Sequence, residues 1–116
     1  MAIVGAFMVP HPPMIVPGVG KGSEQQIAAT TAAYTRVAEE IAALAPETII
    51  LSSPHATMYR DYFHISPGSQ ARGSFGIFRA PEVKFREEYD TELVKTIEHL
   101  AQVQGFPAEI SAVRMS

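Results

Sequence analysis

Two apolar runs, each closed by proline beside histidine, constrain this chain more than any other feature. The first, Ile3-Val4-Gly5-Ala6-Phe7-Met8-Val9, leads into Pro10-His11-Pro12-Pro13. The second, Glu47-Thr48-Ile49-Ile50-Leu51-Ser52-Ser53, is closed by Pro54 and followed at once by His55. Continuous hydrophobicity over this length is the pattern of a strand buried on both faces. Proline lacks a backbone donor, so a ladder stops at it, and the residue before it is driven into an extended conformation. Each histidine is therefore expected at the carboxyl end of a central strand, the edge where open α/β sheets bind ligands. One such histidine is either a hydrogen-bonded imidazole or a working one. A second copy of the arrangement points to a metal shared by His11 and His55.

The segment between the runs supports that geometry. Ser23 with Gln26 three residues on forms a capping box. Ile27, Thr31, Tyr34, Ala38, Ile41 and Ala45 then recur in steps of three and four, with Val37 and Leu44 widening the stripe, until Pro46. Strand, helix, strand is a βαβ unit, which makes the two strands parallel and joined right-handed. Adjacent strands lie about 4.8 Å apart and metal–imidazole bonds are near 2.1 Å, so two neighbouring imidazoles are expected to reach one ion.

The glycines at 18, 20 and 22 invite a phosphate-loop reading, but the spacing excludes it. Ile15 stands where the first glycine of that loop belongs, and Gly22 where its Ser or Thr belongs. Ser23 replaces the third glycine of a dinucleotide fingerprint. The stretch from Met14 to Gly22 is expected to be a loop. Lys21 and the helix start at Ser23 are candidates for meeting a substrate carboxylate.

Composition narrows the function class. With 116 residues and 47% hydrophobic content, one α/β domain over 1–116 is expected. A net charge of −3 gives no footprint for nucleic acid or an anionic membrane. No apolar run approaches the ~18 residues of a membrane span, and the start lacks the basic and small-residue pattern of a signal peptide, so a cytoplasmic protein is expected. With no cysteine, disulfides and thiolate ligands are excluded. A metal must then be held by nitrogen and oxygen, which suits iron, manganese or zinc.

Beyond His55, a loop over 56–60 precedes Asp61–Ser66, whose alternation reads as a third strand with Phe63 and Ile65 on one face and Tyr62 and His64 on the other. His64 is a candidate neighbour of the metal ligands. Residues 70–81 read as an irregular, glycine-containing segment, with Phe75 a candidate wall of a pocket. Glu82–Phe85 reads as a short extended piece. Asp90 caps an expected helix carrying Leu93, Val94, Ile97, Leu100 and Ala101, which stops at Gly105 with Pro107 beyond. His99 reads as a surface residue of that helix. Ala108–Val113 reads as the start of a fourth strand.

The run from Val4 to Pro13, Ser52-Ser53-Pro54-His55, Asp61-Tyr62-Phe63-His64-Ile65 and Gly73-Ser74-Phe75-Gly76 together resemble the N-terminal half of LigB-like proteins. That family comprises the class III extradiol ring-cleavage dioxygenases and relatives that include Memo-type proteins. The resemblance implies an α/β fold in three layers, a mostly parallel sheet with helices on both faces, present here in incomplete form. It implies non-haem Fe(II), with Zn(II) or Mn(II) as alternatives, bound by His11 and His55, and a small aromatic diol as substrate. The glutamate ligand and the acid/base histidine of the family have no matching position in 1–116; Glu82, Glu87, Glu88 and Asp90 read as solvated carboxylates. A second copy or a partner chain is then expected to complete the site. Three readings stay open: an extradiol dioxygenase or part of one, a non-enzymatic Memo-like binding or regulatory protein on the same scaffold, and a zinc or manganese hydrolase-like site.

Overall fold

The structure is a computed structural model describing residues 2–55 and 58–110. An extended stretch through residue 12 enters a 3-10 turn, Pro13–Ile15, followed by the short helix α1, Pro17–Gly20. A second 3-10 turn, Ser23–Ile27, runs directly into α2, Ala28–Leu44. The strands are β1 (Phe63–Ile65), β2 (Gln70–Phe75) and β3 (Ala80–Glu88), with the 3-10 turn Gly76–Phe78 between the last two; α3 (Thr91–Val103) and β4 (Ala108–Ile110) follow.

The stretch expected to be a plain loop is thus two tight helical turns. Pro13 and Pro17 each occupy the start of a turn, where a missing N–H costs nothing and the fixed φ is already helical. The amides of Gly20 and Lys21 donate to the carbonyls of Val16 and Pro17, both at 2.8 Å. Gly20 is required sterically, because a Cβ there would lie 2.5 Å from the Met14 carbonyl oxygen and 2.5 Å from Glu24 Oε2.

The long helix forms where its periodicity places it, with a different start. Gly22, at φ 100°, is the N-cap of the turn Ser23–Ile27, and no side chain caps it. Instead the Gly22 amide donates to Glu24 Oε2 at 2.7 Å. The Ser23–Gln26 capping box is not used; the acid two residues beyond Gly22 takes the exposed donor first. Ile27, Thr31, Tyr34, Val37 and Ile41 are the half-buried face, as the steps of three and four require. Ala45, left-handed at φ 48°, ends α2 before Pro46.

The two apolar runs depart from expectation. Neither 2–12 nor 45–53 carries a strand, and Ile3, Ile50 and Leu51 are 90%, 72% and 86% exposed. Hydrophobicity raises the value of burying a run but supplies no ladder partner, and no strand is assigned in either one among the described residues. The βαβ unit anticipated between them is absent among the described residues. The parallel pair that does form is β1 with β4, in the register Phe63↔Ala108, His64↔Glu109 and Ile65↔Ile110. Residues 70–81, expected to be irregular, instead give β2, its turn and the start of β3, which pair with each other. A four-residue connection fixes that hairpin as antiparallel. The α/β class holds, with helices, a small parallel sheet and an antiparallel one.

The chain divides into two compact units, Met1–Ile49 with Gly73–Lys84, and Ile50–Arg72 with Phe85–Ser116. In the first, Gly18 of α1 meets β3 so closely that a Cβ would lie 2.8 Å from Val83 Cγ2 and 3.8 Å from the buried Ala80 Cβ. In the second, α3 packs on β4. Asp90 caps α3 as expected, its Oδ1 accepting from the Leu93 amide at 3.0 Å. Glu98 of α3 accepts from the Ile110 amide of β4. The Phe63 and Phe106 rings stack at 5.3 Å beside the pair, and the Phe63 amide donates to the Pro107 carbonyl at 2.7 Å. Gly105, at φ 69°, turns the chain out of α3. The expected fourth strand is present as β4; its positions 111–113 lie outside the described residues.

Candidate functional site

His11 lies exposed in the extended stretch between Pro10 and Pro12. Pro12, at φ −71° and ψ 127°, is the N-cap of the first 3-10 turn, and its carbonyl accepts from the Ile15 amide at 3.1 Å. Prolines on both sides and that hydrogen bond hold the backbone at the imidazole. His55 is likewise exposed, in a turn begun at Pro54, and its amide donates to Ser53 Oγ at 3.1 Å. Such a serine turn pins the histidine backbone from two residues upstream. Both imidazoles are thus presented by local chain chemistry alone. His11 belongs to the first unit and His55 to the second.

Beside His11 the first unit carries an apolar groove of about 390 Å³, formed by Met8, Val9 and Pro10 against Ala33, Tyr34 and Val37 of α2. Its size falls in the range of small-molecule sites. Lys21 sits exposed at the end of α1 in a left-handed conformation, φ 51°. The helix start beside it is already served by a carboxylate, because Glu24 accepts from the Gly22 amide. Phe75 ends β2 with its ring 6.2 Å from that of Phe78, so its partner is its own turn. Among the described residues, no three of His, Asp and Glu gather at a spacing that holds a metal.

His64 is drawn into a different group. It stands half-buried in β1, its ring centroid 5.4 Å from that of Tyr59 and tilted 54° to it. Tyr59 in turn stacks on Tyr62 at 4.7 Å and 13°. Loss of solvent, then the Tyr62 phenol through its charge and its side-chain hydrogen bond, hold the Tyr59 hydroxyl above its ordinary value near 10. Sequence reasoning placed Tyr62 and His64 on one strand face but passed over Tyr59 in the preceding loop. The usable signal was tyrosine at two positions three apart with histidine two further on.

The family described as the catalytic LigB subunit of aromatic ring-opening dioxygenase matches residues 5–115. The chain belongs to that family. The match covers the N-terminal region of LigB, and LigB dioxygenases are generally metal-dependent. Protein CA_C1420 of Clostridium acetobutylicum is 40% identical over 108 residues, which are 93% of this chain and 23% of that protein. The chain therefore spans less than a quarter of the length of that relative. No solved structure matches. No helix among the described residues is long and apolar enough to cross a membrane.

Proposed function

We propose that this chain provides two histidine ligands, His11 and His55, of a non-haem Fe(II) centre for extradiol cleavage of a catechol-type aromatic. The observation that carries the reading is the family match over 5–115, which includes both Pro-His turns. The donor chemistry fits a divalent ion of the iron, zinc or manganese kind, since both ligands are imidazole nitrogens. Bound Fe(II) supplies Lewis acidity toward a catechol's two oxygens and a route for electrons to dioxygen. The chain's own part is to hold the imidazoles on stiff backbone and to seat the ring. The groove lined by Pro10 and Tyr34 lies next to His11 in the chain and offers the aromatic and apolar walls a flat ring needs. The third ligand and the proton donor are assigned to a partner chain or a further segment. The action is placed in the cytoplasm.

Metal analysis of anaerobically purified protein tests this, run in parallel on His11→Ala and His55→Ala. The expected result is iron in the unaltered protein and its loss in each variant. Equal metal content in all three proteins overturns the assignment.

A second reading is a non-enzymatic binding protein on the same scaffold. Its support is the apolar surface at Ile49, Ile50 and Leu51, each more than half exposed, because contiguous apolar surface marks interaction sites. Unchanged stability on adding Fe(II) or Zn(II) would favour it.

A further inference from the structure

No residue lining the groove beside Pro10 carries a charge. Its polar side-chain groups are the Thr30 hydroxyl and the Tyr34 phenol; the rest of its side-chain wall is hydrocarbon and the Met8 thioether. Lys21 and Arg36, cations of the same unit, are not among the lining residues. A carboxylate moved from water onto such walls loses hydration and meets no cation in return, a cost that an ester or alkyl group escapes. Small side chains make the room on the helix side. Ala29 and Ala33 stand one turn apart on α2 and contribute methyl groups only, while Tyr34 beside them supplies an aromatic ring. At about 390 Å³ the space suits one small ring system.

Resting on the reading of His11 as a metal ligand, we propose that this groove selects an uncharged catechol-type ring and turns away rings that bear a carboxylate. Ala33 sets the room available to the ring, and Tyr34 is its aromatic wall. Substituents on the accepted ring are neutral or apolar, matching the walls they meet. The role expected for Lys21 toward a substrate carboxylate falls away.

The test uses methyl 4-hydroxybenzoate and 4-hydroxybenzoate, which share ring and substitution pattern and differ by one charge. Each has a single phenol and cannot chelate a metal as a diol does, so binding is followed by NMR titration of the full chain without added metal. At neutral pH the ester is expected to bind about tenfold or more tightly than the acid. Ala33→Leu places a good helix former at an exposed position. It should weaken ester binding about fivefold or more by filling the groove, with helix circular dichroism unchanged. Ala42→Leu, exposed on α2 outside the groove, should leave ester binding unchanged, and so should Lys21→Gln. Absence of ester binding by the folded chain, equal affinity for acid and ester, or a helical Ala33→Leu protein that binds the ester normally overturns the proposal. Iron analysis keeps the two claims apart. Ester preference without iron uptake refutes the Fe(II) centre and leaves the groove as a neutral-ring site; iron uptake without ester preference does the reverse.

Discussion

Replacing Gly20 by alanine tests how the chain is held just after His11. An added Cβ would sit 2.5 Å from the Met14 carbonyl oxygen and 2.5 Å from Glu24 Oε2, far inside van der Waals contact. The two obstacles differ in kind. Glu24 is a flexible side chain that swings away at the loss of its exposed hydrogen bond to the Gly22 amide, which water replaces at about 0.5 kcal/mol or less. The Met14 carbonyl is backbone inside the turn Pro13–Ile15, so relief there requires the turn to move. Overpacking of this sort costs about 1–3 kcal/mol, and the total expected for Gly20→Ala is about 2–3 kcal/mol. The natural control is Gly22→Ala, where no atom lies within 4 Å of the added Cβ and only the φ of 100° opposes it. That change is expected to cost about 1–2 kcal/mol through backbone strain alone. Urea unfolding followed by helix circular dichroism reads both, at unchanged m-value. Adding Glu24→Ala to Gly20→Ala separates the obstacles and is expected to recover only a minor part of the loss. An unchanged urea midpoint for Gly20→Ala, or full recovery in the double variant, would show that the Met14 carbonyl does not limit the turn.

Two other outcomes follow from single contacts. Asp90→Ala removes the acceptor of the Leu93 amide and is expected to cost about 1 kcal/mol, while Asp90→Asn costs less; equal stability of Ala and Asn variants would discount the cap. Tyr59 has its folded hydroxyl value raised above the unfolded value near 10, so its contribution is complete below pH 10 and is lost as pH climbs through the folded value. Unfolding midpoints measured from pH 9 upward should fall for the natural protein and fall less for Tyr59→Phe; identical alkaline slopes would contradict the shift.

What the sequence makes legible here is local. The face of α2, the Asp90 cap, the end of α3 at Gly105 and the strand at Phe63–Ile65 all follow from spacing within one or two turns of chain. The β2–β3 hairpin was missed because its turn uses Gly76–Phe78 and a left-handed Arg79, φ 62°, rather than an Asn-Gly or Asp-Gly pair. The runs ending at Val9 and Ser53 were over-read for the opposite reason. Their hydrophobicity states a preference for burial, whereas strand formation depends on a neighbour that sequence pattern does not name. Of the candidate site, the prolines beside His11 and His55 were readable, whereas the strands expected to carry them did not form. The Tyr59–Tyr62–His64 group was readable only in part, because Tyr59 stands in a loop with no period.

The same contrast explains why the histidine turns persist where the strands before them do not. Pro10 and Pro12 restrict the backbone around His11, and the Pro12 carbonyl closes the next turn by accepting from Ile15. Ser53 does the equivalent work at His55 by accepting from the His55 amide. Neither device draws on sheet hydrogen bonds, so the presentation of each imidazole is independent of whether the apolar run behind it is paired. At each histidine the backbone is held by groups within four residues of it.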